Sequence, residues 1–343
     1  MRFRHILRAD QFDRHTLDRL YALTNRIRKK RGTRDGALWL RAQFPHRRAI
    51  LYFLQSSSRT WGSFVAAAQN LGMDTLDIRD PRVSSEVKGE ASLDSIRTFS
   101  SYADVIIMRV NDKGLAAKAA EHMDSAGRPI PIINGGSGPD EHPTQACLDD
   151  YTLRRSFKER GGIDGKTIAL VGDLKRGRTV RSLARFMQHY TGVKLLLVSP
   201  PPFAMEKDVL DFLQEHEIRY AVTDNFDQAV AEADAVYMTR IQDEHDTRGE
   251  SAGVDFSKFC FTERHLKILK PHSIVMHPLP RREELSVSCD KDPRVMIWRQ
   301  ERNGMHVRTA LLLRVLREQE MEKRWGGPLP KHIQDQLWLL DSA

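Results

Sequence analysis

The sequence predicts an α/β protein of two domains, each a mainly parallel sheet flanked by helices, with interdomain helices linking the two. Three observations predict it. At 343 residues the chain exceeds the usual single-domain length and can bury two cores of roughly 150 residues each. Short apolar runs of strand length alternate with segments of helical length, the pattern of parallel strands joined by helical crossovers. That alternation stops at a glycine cluster and then resumes.

In the first half, Ala49–Phe53, Val105–Met108 and Pro131–Ile133 read as buried strands, and Ser63–Leu71 and Leu93–Tyr102 read as helices between them. Gly161, Gly162 and Gly165 follow a helical segment over Gln145–Lys158 and are the clearest breakers, so a domain boundary is expected near them. Beyond it, Thr167–Val171, Lys194–Val198, Ala235–Met238 and Ser273–Met276 are strand candidates. The expected domains are residues 1–150 and 151–303, with an extension over 322–343 that wraps the surface. Two such domains make a cleft.

Composition narrows the class. Hydrophobic residues make up 40% and charged residues 29%, ordinary for a soluble globular protein. Mean hydropathy is -0.50. No apolar run approaches the roughly 20 residues that span a bilayer, and the opening Met1-Arg2-Phe3-Arg4-His5 lacks the apolar stretch of a secretory signal. The expectation is a cytoplasmic protein with no membrane partner. Cys147, Cys260 and Cys289 are an odd number at wide spacing, which suits free thiols rather than a disulfide framework or a metal site. The net charge of +8 and the basic run Arg26–Arg31 would serve nucleic acid. With no zinc-finger, RNP or helix-turn-helix pattern beside it, that run reads as the solvated face of a helix. Part of the positive balance is then available for small anions.

In open parallel sheets, ligands sit beyond the carboxyl ends of the strands. After Phe53 comes Gln55-Ser56-Ser57-Ser58-Arg59-Thr60, with a helix expected from about Trp61. Free N–H groups, hydroxyls and a guanidinium converging there suit a phosphate dianion. Taken alone, a serine-rich N-cap beside a surface arginine explains the segment equally well. Arg109 ends the next strand. His142 and Gln145, three apart in the first turn of a helix, share a face, and Pro143 suits the first helical position. Gly172 begins another basic strand-to-helix turn that reaches Arg178. Arg240 and Gln242, one residue apart in extended chain, point the same way. In His277–Arg281, Pro278 and Pro280 stiffen a loop whose carbonyls can face a ligand. Each segment has a bland reading as a polar strand-end loop. Together they supply guanidiniums, a histidine, a glutamine and hydroxyls that a core does not need.

In order along the chain, Ser57–Thr60, Ser84–Glu90 with its Lys88-Gly89-Glu90, Met108-Arg109, His142–Gln145, Gly172–Thr179, Tyr237–Gln242, His277–Arg281 and Asn303–Leu312 resemble the catalytic chains of the aspartate/ornithine carbamoyltransferase family that use aspartate. The resemblance runs from about residue 45 to Leu313. It implies transfer of the carbamoyl group of carbamoyl phosphate to the amine of L-aspartate, giving N-carbamoyl-L-aspartate in pyrimidine biosynthesis. No cofactor, metal, nucleotide or covalent nucleophile takes part. By the same resemblance Ser57, Ser58, Arg59, Thr60 and Arg109 hold the phosphate, while His142, Thr60 and Arg109 polarise the carbamoyl oxygen. Gln145 and the loop Pro278-Leu279-Pro280 take the carbamoyl amide. Ser84, Lys88, Arg178, Thr179, Arg240 and Gln242 take aspartate. Pro278 follows His277 where ornithine-using relatives typically have cysteine, which favours aspartate.

The resemblance also implies a homotrimer whose Ser84 and Lys88 reach a neighbour's site, a first domain completed by a C-terminal helix at about 304–321, and a regulatory chain or a dihydroorotase as eligible partners. Four positions depart from the family pattern besides Val65. Gln55 and His245 stand where a glutamate and an arginine help hold the domains closed, which implies a weaker and pH-sensitive latch. Trp61 replaces an often basic residue and Ser137 an acidic one. The alternatives are a carbamoyltransferase for another amino acid and a non-catalytic structural or regulatory homologue. Retention of every carbamoyl-phosphate residue speaks against the latter.

Overall fold

The computed structural model describes residues 3–80, 90–127, 129–137, 141–242 and 254–339. The chain forms two compact units, Met1–Cys147 with Gly304–Ala343, and Leu148–Asn303.

In the first unit four parallel strands, β1 (Arg48–Phe53), β2 (Asp74–Ile78), β3 (Val105–Arg109) and β4 (Ile132–Asn134), are ordered β2-β1-β3-β4. The central β1 and β3 are buried almost throughout, so they appear in the sequence as apolar runs. Strand β2 was not anticipated. It is an edge strand with three of its five residues exposed, and an edge needs no apolar run. The helices are α1 (Arg14–Arg31), α2 (Arg34–Arg41), α3 (Ser58–Asn70), α4 (Ser92–Phe99) and α5 (Leu115–Ser125). Asp13 caps α1 by accepting from the Thr16 N–H, and Thr33 caps α2 by accepting from the Gly36 N–H. Helix α3 starts at Ser58, not near Trp61 or Ser63. Apolar periodicity registers only its inner face, Phe64, Ala67 and Ala68, and is blind to a polar first turn.

The chain enters the second unit within α6 (Pro143–Ser156). The glycine cluster lies between α6 and the next strand, with Gly161, Gly162 and Gly165 all at positive φ. The second unit holds β5 (Thr167–Val171), β6 (Lys194–Val198), β7 (Arg219–Thr223), β8 (Ala235–Met238) and β9 (Ile274–Met276), all parallel, in the order β7-β6-β5-β8-β9. Exposed β7, another edge, also escaped the apolar pattern. Helices α7 (Arg178–Phe186), α8 (Lys207–Glu215), α9 (Phe226–Glu232) and α10 (Glu263–Ile268) connect these strands. Phe226, Val230, Val236, Phe261 and Val275 contribute to one buried apolar cluster there.

The chain returns to the first unit within α11 (Ile297–Trp325), which is longer than the closing helix expected. The extension then forms α12 (Lys331–Gln336) and seats Trp338 edge-on against Phe3, ring centroids 5.5 Å apart. Beneath them Arg314 and Glu318 form a buried ion pair at 2.6 Å, and the Phe3 N–H donates to Glu318. Arg314 also lies over the Trp338 ring at 5.1 Å.

The N-terminal segment lies beside β4. The Ile6 N–H donates to the Ile132 carbonyl at 2.9 Å and the Asn134 N–H to the Ile6 carbonyl at 2.7 Å. Between them the Ile132 N–H donates to His5 Nδ1 at 3.0 Å, so the bond requires neutral Nδ1. Burial lowers the His5 pKa from 6.5, with Asp124 opposing the shift. A histidine depressed on folding keeps its full contribution above its unfolded value and loses it as pH falls through the folded one. Chemical denaturation should therefore show stability falling below about pH 6.5, and His5→Gln should flatten that acid limb.

Candidate functional site

Sheet order reverses at one place in each unit, between β1 and β3 in the first and between β5 and β8 in the second. The carboxyl ends of strands at such a reversal leave a crevice that neither connection fills. Every described polar segment singled out in the sequence, except the His277 loop, follows one of these four strands or the adjacent β4.

In the first unit, Phe53 pairs with Arg109, and the Gln55 N–H donates to the Arg109 carbonyl at 3.1 Å, extending the alignment past the strands. Ser57 is the N-cap of α3 with extended backbone, yet its hydroxyl makes no capping bond. A serine present merely as a cap would accept from the N2 or N3 N–H. The Ser57 hydroxyl thus leaves the first-turn N–H groups uncapped, and exposed Ser58 and Arg59 lie in that turn. Thr60, at the same turn, is buried, and its Oγ1 lies 3.5 Å from His142 Nε2.

Arg109 is 6% exposed, and its Nη1 donates to the Gly135 carbonyl at 3.1 Å. Gly136 has φ +106, and a Cβ there would sit 2.5 Å from Arg109 Nη1 and 3.2 Å from His142 Cδ2. Only glycine lets the loop pass between these two groups. His142 precedes α6 and caps it through its carbonyl, which accepts from the Gln145 and Ala146 N–H groups; both His142 and Gln145 are buried. Trp61 has found other partners: its indole N–H donates to Asp77 Oδ1 at 2.7 Å, and the Arg79 guanidinium stacks 4.1 Å from the ring centroid. Ser137 accepts from Asn134 Nδ2 at 3.2 Å.

In the second unit Gly172 has φ +112, and a Cβ there would meet the Thr239 carbonyl oxygen at 2.2 Å, so the ends of β5 and β8 approach as backbones. Asp173 joins the two turns beyond them. Its Oδ1 accepts from the Arg176 N–H at 2.9 Å and its Oδ2 from the Gln242 N–H at 3.2 Å. Full burial pushes its pKa up, and these N–H groups oppose the rise. Arg178 opens α7 with Thr179 next to it, both half-buried. Arg240 Nη1 donates to the Ile241 carbonyl at 2.8 Å. A cavity of about 710 Å³ opens at these strand ends, lined in part by Gly172, Thr239, Ile241 and Phe256, room enough for a small ligand.

The loop after β9 is organised by His277. Its Nδ1 accepts from the Leu279 N–H at 2.8 Å, so Nε2 carries the proton and donates to Glu284 Oε1 at 2.7 Å. Burial would raise the Glu284 pKa, but His277 and the Arg282 N–H hold it below the usual range. The His277 N–H donates to Gln300 Oε1, and Gln300 Nε2 donates to Asp149 Oδ1. Leu279 is held at φ +54, a conformation that costs a non-glycine residue about 1–3 kcal/mol. Such strain persists where surrounding bonds enforce it, and it aims the Pro278-Leu279-Pro280 backbone.

Asp173, Gln300, Asp149 and Glu284 had no role assigned from sequence. Asp173 carried a signal, since it directly follows a strand-end glycine; the other three look like ordinary polar residues until the hydrogen bonds are seen. Ser84, Lys88 and His245 lie outside the described residues. Among the described residues, no group of three or more His, Cys, Asp or Glu is arranged to hold a metal ion.

The family models for the carbamoyl-phosphate-binding and the aspartate/ornithine-binding domains of aspartate/ornithine carbamoyltransferases match residues 4–155 and 164–315. The chain is 38% identical over 311 residues to aspartate carbamoyltransferase 1, chloroplastic, of Pisum sativum, covering 90% of this chain and 77% of that protein. It is similar to aspartate transcarbamoylase from Trypanosoma cruzi in complex with carbamoyl phosphate and aspartate, at TM-score 0.78 and 35% identity over 90% of this chain and 95% of that one. The catalytic subunit of M. Jannaschii aspartate transcarbamoylase matches with TM-score 0.81 and 30% identity, over 92% of this chain and 99% of that one.

The close approach at Gly172 sets a prediction. Gly172→Ala combines positive φ with a backbone clash, so it should destabilise the protein by more than about 1 kcal/mol. Urea unfolding monitored by circular dichroism measures the loss, and an unchanged midpoint would rule out the contact.

Proposed function

The chain belongs to the aspartate/ornithine carbamoyltransferase family, and we infer on that premise that it transfers the carbamoyl group of carbamoyl phosphate to the α-amine of L-aspartate. The products are N-carbamoyl-L-aspartate and phosphate, and the reaction serves pyrimidine biosynthesis. The observation that carries this reading is the convergence of Thr60, Arg109 and His142 beside the N-terminus of α3, at the strand reversal of the first unit.

The phosphate dianion binds the first-turn N–H groups of α3, the hydroxyls of Ser57, Ser58 and Thr60, and the guanidiniums of Arg59 and Arg109. The carbamoyl oxygen faces His142, Thr60 and Arg109. Gln145 and the carbonyls of Pro278, Leu279 and Pro280 accept from the carbamoyl NH2. Arg178 and Arg240, with Thr179 and Gln242, take the two carboxylates of aspartate, since a guanidinium fork matches a planar carboxylate. The amine lone pair forms a bond to the carbamoyl carbon, negative charge builds on the carbamoyl oxygen, and the carbon–oxygen bond to phosphate breaks. The departing phosphate accepts the amine proton. Catalysis is then positioning plus stabilisation of that oxygen. Ser84 and Lys88 come from a neighbouring copy in a homotrimer. The free thiols Cys147, Cys260 and Cys289 suit a reducing, cytoplasmic compartment.

Formation of N-carbamoyl-aspartate is the direct assay, with ornithine and other amines as competing acceptors. His142→Ala should lower kcat about 10²–10³-fold, the loss typical of one oxyanion donor. Arg59→Ala should weaken carbamoyl phosphate binding and abolish useful turnover; preference for another amine would overturn the aspartate reading. Site sharing has its own test. Mixed trimers of inactive Arg59→Ala and inactive Lys88→Ala chains should regain partial activity, whereas confirmed hybrids that stay inactive would refute it.

A further inference from the structure

Residues 6–9 bind the chain at Asn134 and again at Glu141, on either side of the approach to His142. Asn134 organises its start: Nδ2 donates to the Leu7 carbonyl at 3.0 Å and to Ser137 Oγ, while Oδ1 accepts from the Gly136 N–H at 2.8 Å. Glu141 organises its end. The Glu141 carbonyl accepts from the Ser137 N–H at 3.3 Å, and its Oε2 accepts from the Ala9 N–H at 2.6 Å. The turn that presents this N–H is itself fixed, because Gln11 Oε1 accepts from the consecutive Leu7 and Arg8 N–H groups. Glu141 directly precedes His142.

We propose that Glu141 is a positioning residue for carbamoyl transfer: tethered to the Ala9 N–H, it fixes where the chain enters α6 and thereby holds the His142 ring beside Thr60 and Arg109. The proposal rests on the transfer reaction above. What the tether needs is an acceptor, not a charge, so glutamine serves where alanine does not. Because misplacement by about 1 Å costs on the order of 10²-fold in rate, loss of the tether appears in kcat and in carbamoyl phosphate affinity, while the residues that hold aspartate are untouched.

The test compares Glu141→Ala, Glu141→Gln and Ala9→Pro with the wild-type chain in the N-carbamoyl-aspartate assay, well below each variant's Tm. Ala9→Pro deletes the donor where proline fits: Ala9 is the first residue of a helical turn, and Arg8 before it is extended at φ -139, ψ 156. Expected are a drop in kcat of about 10–10²-fold for Glu141→Ala, an aspartate KM within twofold of wild type, near-wild-type rates for Glu141→Gln, and a deficit for Ala9→Pro that does not add to that of Glu141→Ala. A Glu141→Ala enzyme with wild-type kcat overturns the inference, and so does a Glu141→Gln enzyme as slow as Glu141→Ala. A wild-type chain that transfers no carbamoyl group fails the transfer reading itself, and the two failures are told apart by that control.

Discussion

The burial of Arg109 is the constraint around which the first unit's functional end is arranged. A guanidinium taken out of water is costly unless its N–H groups find acceptors and its neighbours leave it room. The Gly135 carbonyl supplies an acceptor, and the missing side chain at Gly136 supplies the room, with a hypothetical Cβ only 2.5 Å away. The same gap seats His142, which lies within reach of Thr60 from beyond the end of β1. Once the arginine sits there, the loop's path and the helix entry beside it are constrained.

The second unit solves a similar problem with other parts. There the candidate ligand-binding groups sit on two turns, and neither turn has a sheet to define it beyond Val171 or Met238. Asp173 ties them by accepting one backbone N–H from each, and Gly172 lets the strand ends close to backbone contact. A buried carboxylate with backbone donors is a fixed joint. Both units thus place charged side chains on supports whose own geometry is over-determined.

The central strands and the strand-end motifs were legible because burial on both faces writes apolar runs and because parallel topology sends chemistry to one edge. Strands β2 and β7 were not legible, since an exposed edge is held by backbone bonds that leave no compositional mark. The start of α3 was misplaced for a related reason: Ser58, Arg59 and Thr60 belong to the helix by backbone geometry and to the candidate phosphate site by chemistry, and periodicity sees neither. Of the supporting residues, Asp173 stood beside a readable signal. Gln300, Asp149 and Glu141 act through partners far away in sequence, and a single chain carries no trace of such pairings.

The first unit is discontinuous, built from residues before Cys147 and after Gly304. During synthesis the second unit is therefore complete in sequence while the first still lacks α11. Phe3 waits, with its neighbours, for Glu318 and Trp338 to leave the ribosome before its surface is covered. Order of emergence makes Phe3 and its neighbours among the last to be sealed, so the nascent chain carries an unfinished core until α11 emerges. Transient protection would be needed most in that interval, and a chain cut off after residue 303 would hold one unit complete in sequence and one that cannot close.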